Sequence, residues 1–294
     1  MTFSLFFQSL INGLNQGAIY ALIALGYTMV YGIAKMLNFA HGDIIMVGAF
    51  ATIVCVNSLG LSPVVGVLLS IVICTVVGVT VERIAYRPLR QAPPLSVLIT
   101  AIGVSYFLQS LAQLIFGVNQ KSFPKFIDMS PIKFGELTIK GETVVTLAVT
   151  VLLMVALTLF INKTKMGKAM RAVSEDREAA ELMGISVNKT ITLTFAIGSA
   201  LASVAGSFYG LTYTFITPYT GSMPGIKAFV AAVFGGIGSV PGAMLGGLLL
   251  GIIECLSKAY ISTELSDAIV FGILIAVLLV KPTGLLGKKT NEKV

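Results

Sequence analysis

Charged and metal-binding side chains are scarce in this sequence. Asp, Glu, Lys and Arg together make up 11% of the 294 residues, whereas an average soluble domain has about 25%. The chain has one histidine, three cysteines and no tryptophan. Hydrophobic residues occupy 56% of the positions, so there is too little polar surface to cover them in water. The composition excludes an ordinary soluble protein and predicts that lipid surrounds the chain.

The few residues that could hold a metal or form a disulfide are not arranged to do so. Cys55, Cys74 and Cys255 lie far apart in apolar stretches, and His41 is the only histidine. Zinc sites usually need paired cysteines or histidines at short spacing. The carboxylates form no cluster with metal-ligand spacing either. We therefore expect no metal site, no bound cofactor and no catalytic residue in this chain.

The sequence also lacks a motif for ATP hydrolysis. A Walker A motif ends in Gly-Lys followed by Ser or Thr. The Gly-Lys pairs at 167–168 and 287–288 are followed by Ala169 and Lys289. The chain is therefore not expected to be an ATPase.

The hydrophobic residues fall into runs that could cross a bilayer. A transmembrane helix needs roughly 20 apolar residues, and nine runs meet or approach that length. They lie at 8–33, 40–60, 63–85, 95–117, 143–162, 189–212, 225–240, 243–260 and 266–281. We predict an all-α, polytopic transmembrane bundle of about 8–10 spans that forms one domain over residues 1–294.

The basic residues predict the orientation of this bundle. All five arginines lie in loops 83–90 and 163–188, and the tail 282–294 is rich in lysine. By the positive-inside rule these three segments are cytoplasmic, which places loop 118–142 and the N-terminus outside the inner (cytoplasmic) membrane. The basic residues form no continuous stripe, so the net charge of +7 does not indicate a nucleic-acid partner.

Small residues recur at helical spacing in two of the predicted spans. Such residues let helix backbones approach closely, because lipid provides no hydrophobic force between helices and packing must hold them together. We predict that this helix-packing set consists of Gly198, Ala202, Gly206, Gly210, Gly242 and Gly246.

Two further features concern a possible internal repeat and a possible interruption of the helices. The stretch 26–48 loosely resembles 210–235, and the predicted topology orients the two copies oppositely, as in transporters with inverted repeats. In the glycine-rich segment 235–242, Pro241 either interrupts a re-entrant helix or belongs to a cytoplasmic turn between two spans. The sequence favours neither reading of this segment.

Several polar residues and glycines are candidates for lining a translocation path. They are Asn12, Gln16, Asn38, His41, Gly236, Gly238 and Ser239. Hydrogen bonds between helices explain Asn12 and Gln16 at least as well. A turn just beyond the first span is the favoured explanation for His41 and its neighbour Asp43.

Segment 165–184 is the most distinctive stretch outside the predicted spans. Met166, Met170 and Val173 recur at helical spacing, and Gly184 is a natural helix stop. The pattern predicts a short amphipathic helix. Such a helix either lies on the inner leaflet or docks onto a soluble partner.

Within this segment, Glu178-Ala179-Ala180 is followed after three residues by Gly184. This pattern resembles the EAA---G motif of ABC importer permeases, in which a coupling helix inserts into a separate ATPase subunit. The isoleucine and Leu-Pro pair that complete the long form of the motif are absent, which is typical of one subgroup. The resemblance implies a coupling helix that includes Met170, Val173, Glu178, Ala179, Ala180 and Gly184.

Three further stretches, 38–43, 235–243 and 281–287, are similar to signatures of that subgroup, the branched-chain amino acid permeases. The resemblance covers essentially the whole chain, and the length suits the LivH-type subunit. It implies import of leucine, isoleucine and valine together with a LivM-type permease and an extracytoplasmic binding protein. It also implies two ATPase subunits, which would bind ATP and Mg.

Two other functions fit the same pattern of spans. One is an ion-coupled secondary carrier, which the lack of a central carboxylate cluster disfavours. The other is an ABC permease of the same family for a different small substrate, such as urea or an amide.

Overall fold

The computed structural model describes residues 2–287, and its regular structure is almost entirely helical. The helices are α1 (Thr2–Ala34), α2 (His41–Ile53), α3 (Pro63–Val81), α4 (Pro94–Phe116), α5 (Gly141–Lys163), α6 (Lys165–Glu175), α7 (Arg177–Leu182), α8 (Val187–Tyr213), α9 (Ser222–Gly235), α10 (Val240–Tyr260) and α11 (Ser266–Val280). Two π-helical turns, Val54–Ser58 and Glu82–Tyr86, extend α2 and α3, and a 3₁₀ turn, Arg87–Leu89, follows. The short strands are β1 (Lys121–Ser122), β2 (Ile132–Phe134), β3 (Leu137–Ile139) and β4 (Phe215–Ile216).

The predicted polytopic helix bundle is confirmed. Within residues 2–287, seven helices are long and apolar enough to cross a membrane. The other two predicted spans correspond to α9 and α11, which are apolar but only 14 and 15 residues long. These two are shorter than a helix needs to span the hydrocarbon alone.

Helices α8 and α10 run antiparallel to the buried helix α1. Asn15 near the start of α1 donates a hydrogen bond to Thr212 near the end of α8 (3.2 Å), whereas Gly26 faces Gly198 in the middle of α8. Helix α10 also runs against α1, because Gly13 meets Ile252 and Gly32 meets Gly238.

The bundle has two chemically different ends. At the strand end, β1 pairs with β4 and β2 with β3, and Gln8 of α1 donates a hydrogen bond to the carbonyl of Thr138 (3.0 Å). At the arginine end, the guanidinium of Arg177 donates to the carbonyl of Ala34. The segment 282–287 also lies at the arginine end, since the amide of Leu286 donates to Gly235 (2.9 Å).

The beginning and the last described part of the chain therefore lie at opposite ends of the bundle. Loop 118–142 is at the strand end, and loops 83–90 and 163–188 are together at the arginine end. This is the relative arrangement that nine crossings predict. The lysines beyond Gly287 lie outside the described residues.

The first four and the last four helices contact each other through equivalent helices, as expected of an inverted repeat. Helix α1 packs against α9 and α10, and its antiparallel counterpart α8 packs against α2 and α3. The starts of α2 and α9 meet, because a Cβ on Gly42 would lie 2.5 Å from the carbonyl oxygen of Gly221. In each of the two runs, α1–α4 and α8–α11, the first helix therefore packs against the second and third helices of the other run.

The structure distinguishes the two alternatives for the glycine-rich segment 235–242, which contains a turn between two helices and no re-entrant helix. Segment 236–239 is a turn between α9 and α10 at the arginine end, where Gly238 faces Gly32. The chain instead re-enters the bundle before α2 and α9. His41 begins α2 beside Gly26, about two helical turns inward from Ala34. The predicted turn after the first span is present, because the amide of His41 donates to the carbonyl of Asn38 (3.1 Å). This turn lies inside the bundle and not at its end, because loop 35–40 folds back.

Candidate functional site

The segment predicted as one coupling helix forms two helices. Asp176 separates α6 from α7, and its side chain accepts a hydrogen bond from the amide of Ala179 (2.9 Å) as the N-cap of α7. Thr164 caps α6 in the same way through Gly167 (3.0 Å). Gly184 has φ +81° and ends α7, which confirms it as a helix stop.

The apolar stripe of α6 is received by this chain. Met170 and Val173 are 0% and 1% exposed, because α6 packs across α1, α5 and α8. The expectation that these two side chains await a partner is therefore wrong. The sequence does not reveal the groove, which forms only where the ends of three separated helices meet.

The most exposed apolar side chains of this loop lie in α7 and the turn after it. Leu182 and Met183 are 90% and 82% exposed, and they lie beside the exposed side chains of Glu178 and Glu181. Ala180 is buried and faces the bundle. The loop therefore presents two neighbouring apolar side chains with an acidic border at the arginine end.

Polar contacts fix α7 against the bundle. Arg177 reaches the carbonyl of Ala34, and burial together with the charge of Arg90 lowers the pKa of Arg177. Arginine nevertheless stays charged at physiological pH. Arg90 binds both the buried carboxylate of Glu82 and the side chain of Asn188. These contacts hold loop 83–90 beside the start of α8.

The candidate path residues are spread over the length of the bundle. Asn12 is exposed near the strand end, and the buried Gln16 accepts a hydrogen bond from the hydroxyl of Tyr213 (2.8 Å). Asn38 is also buried and accepts from the hydroxyl of Tyr86 (2.8 Å).

The remaining candidates are closer to the arginine end. His41 is 1% exposed and stacks edge-on against Tyr27, with ring centroids 4.7 Å apart. Gly236 and Gly238 form the α9–α10 turn, and Ser239 caps α10 by accepting from the amide of Gly242 (3.2 Å). The seven candidates are therefore distributed along the bundle and do not form one cluster.

The predicted packing residues lie at close helix contacts. A Cβ on Gly206 would be 2.3 Å from the carbonyl oxygen of Ile45, and one on Gly246 would be 2.1 Å from that of Ala231. Gly242 likewise faces Gly235 at 2.4 Å, and Gly210 faces the ring of Phe123 at 2.4 Å. Gly198 is in ordinary contact with α1, and Ala202 is fully buried.

A buried ionic network lies inside the bundle, and the sequence indicates only one part of it, the pair Glu254 and Lys258 four residues apart on one helix. Glu254 of α10 is 1% exposed and accepts from Lys227 of α9 at 2.8 Å and from Lys258 at 2.6 Å. Tyr20 of α1 donates to its second oxygen at 2.7 Å, and Lys227 also pairs with Asp267 of α11 at 2.6 Å. The signal in the sequence was the single lysine within an apolar run at 222–235.

The chain is similar over its length to proteins of amino-acid import. Residues 9–278 match the family model described as "Branched-chain amino acid transport system / permease component". The chain is 46% identical to the high-affinity branched-chain amino acid permease LivH of Salmonella typhimurium, and the alignment covers 99% of both chains. It is also 46% identical to BraD of Pseudomonas aeruginosa, over 98% of both.

Two more distant similarities accompany these. The permease LivM of Salmonella typhimurium is 25% identical over 91% of this chain and 68% of its own. The solved structure of PsaBC from Streptococcus pneumoniae in complex with Fab aligns with 95% of this chain and 91% of its own, at 13% identity and a TM-score of 0.44. That score is too low to bear on fold or function.

Proposed function

The chain belongs to the family of branched-chain amino acid transport system permease components, and we propose that it imports leucine, isoleucine and valine. It is a multi-pass membrane subunit of an ABC importer and not an enzyme. The proposed substrate rests on one observation, the full-length identity of 46% to LivH and BraD, both named as branched-chain amino acid permeases.

The chain works with other subunits in this proposal. The related LivM sequence supports a second permease, and the two permeases would form the path between them. Of the seven candidate path residues, Asn12 and Gly238 are exposed and could face that partner. An extracytoplasmic binding protein would deliver the amino acid to the strand end.

The ATPase subunits would bind at the arginine end, which we place in the cytoplasm of the cell by the positive-inside rule. The docking surface is the exposed pair Leu182 and Met183, with Glu178 as its polar neighbour and Gly184 as the stop that shapes the turn. Two large apolar side chains outside the bilayer are costly in water. Burial in a partner's groove removes that cost.

The test replaces both apolar side chains, as Leu182→Ser with Met183→Ser. Since these side chains touch little of their own chain, we expect normal membrane levels, at least a tenfold weaker capture of the ATPase subunits and loss of ATP-dependent leucine uptake. The matched control is Ile261→Ser, which changes an exposed apolar residue after α10 at the strand end. It should leave capture and uptake unchanged.

Capture of the ATPase subunits at wild-type strength by the double variant would refute this docking surface. Uptake by the wild-type chain alone, driven by an ion gradient without any ATPase, would refute the importer itself and favour a secondary carrier.

A further inference from the structure

An open cavity lies at the strand end, away from the proposed ATPase surface. Its volume is about 280 Å³, close to the roughly 300 Å³ at the lower limit for small-molecule sites. Its walls come from the loop before β2, the start of α5 and the end of α8. A cavity of this size suits a small metabolite better than a protein domain.

Charges of both signs line this cavity. Lys125 and Lys140 contribute two ammonium groups and Glu142 contributes a carboxylate. Among residues 2–287, the ion pairs involve other side chains, near Glu82 and Glu254, so these three charges are unpaired. Charged groups that face one cavity without pairing can each accept a ligand group of opposite sign.

The rest of the lining is largely apolar. Ile127 and Met129 lie on the loop side, and the buried Leu211 lies on the side of α8. An apolar ligand portion would contact these side chains, while its charged portion would meet the lysines and Glu142. The lining thus separates into a region for two opposite charges and a region for an aliphatic group.

We propose that this cavity is an entry site for a zwitterionic aliphatic α-amino acid. The ligand carboxylate would lie against Lys125 and Lys140, its ammonium group against Glu142, and its branched side chain against Ile127, Met129 and Leu211. This inference rests on the proposed function, which supplies such a substrate at this end of the bundle. It adds a substrate contact on the permease that is separate from the binding protein.

The site is expected to be weak. Lys125 and Lys140 are exposed, and only Glu142 is half-buried, so water and salt screen the ligand charges. Weak binding suits an entry site, because the amino acid must leave it again to move down the path.

The test is equilibrium binding of radiolabelled leucine to the complete permease–ATPase complex in nanodiscs, without a binding protein. We expect saturable binding that decreases with rising salt. Leucine methyl ester, which lacks the carboxylate, and isocaproate, which lacks the ammonium group, should compete at least tenfold less well than unlabelled isoleucine. Both Glu142→Gln and the double variant Lys125→Gln with Lys140→Gln should weaken leucine binding at least tenfold.

The matched controls are Lys133→Gln and Glu136→Gln, which remove exposed charges from the same external loop but outside the cavity. They should bind leucine like the wild type. Absence of saturable binding, or equal loss in cavity and control variants, would overturn the proposal. So would unchanged leucine binding with reduced capture of the binding protein, which would assign the cavity to protein docking. ATP-dependent leucine uptake by the wild type with its binding protein distinguishes these outcomes from failure of the proposed function. Uptake should persist if only the entry site is wrong, and it should be absent if the proposed function is wrong.

Discussion

At the scale of single residues, the charges buried within the bundle show how polar contacts hold its helices together. Glu254 accepts hydrogen bonds from two lysines and a tyrosine, so its charge is compensated from three directions. Burying an unpaired carboxylate would be far more costly. The network also joins α1, α9, α10 and α11, which gives the short helices α9 and α11 fixed partners.

Glu254→Gln is predicted to destabilise the protein by about 3 kcal/mol, since removal of one partner leaves Lys227 with an incompletely paired charge inside the bundle. The measurement is thermal unfolding of the purified permease in detergent. Lys258→Gln is the control, because the Lys258 side chain is 36% exposed and its loss should have a smaller effect. Equal stability of Glu254→Gln and the wild type would show that the network contributes nothing.

At the scale of helices, the backbones of α1 and α10 approach each other closely. A Cβ on Gly251 would lie 2.2 Å from the amide nitrogen of Gly17, and one on Gly17 would lie 2.7 Å from the Cα of Leu248. Neither obstacle is a flexible side chain, so neither can move aside cheaply. The predicted glycine set did not include this pair, although it follows the same physical rule.

Gly251→Ala is therefore predicted to cost about 1–3 kcal/mol through overpacking and to lower the yield of assembled complex. Gly272→Ala on α11 is the matched control, since a Cβ there would meet nothing within 4 Å. It should keep wild-type stability. A normal yield and unfolding temperature for Gly251→Ala would mean that α10 can shift away from α1 without cost.

At the scale of the whole molecule, the two ends of the bundle differ in both charge and fold. The arginine end has loops 83–90 and 163–188, whereas the strand end has loop 118–142, in which lysines are mixed with acidic residues. The helices α2 and α9 start inside the bundle, where they meet. The first helix of each half packs against the second and third helices of the other half. Neither half is therefore expected to fold alone.

Cysteine labelling tests the proposed orientation of this molecule. In a background without the three native cysteines, Arg87→Cys and Arg171→Cys should react only with reagent applied from the cytoplasm, because both lie at the arginine end. Asp128→Cys, on the exposed strand-end loop, should react only from outside. Reaction of Arg87→Cys and Asp128→Cys from the same side would contradict a membrane crossing by α4, which lies between them.

Much of the architecture follows from the sequence by itself. The apolar runs, the arginines between them and the glycine spacing are local properties, so they predicted the helices, the relative arrangement of loops and the class of protein. Gly184 as a helix stop is also local, because a positive φ favours glycine at that position. The resemblance to branched-chain amino acid permeases depended on short motifs that can be read directly.

Only the tertiary structure decided which side chains remain available. Met170 and Val173 formed a clear apolar stripe, yet the ends of α1, α5 and α8 bury it, whereas Leu182 and Met183 stay exposed. The pairing of Lys227 with Glu254 and the cavity between α5 and α8 likewise depend on contacts across long stretches of chain. Hydrophobic periodicity gives a helix its apolar face, but the neighbouring helices determine what that face contacts.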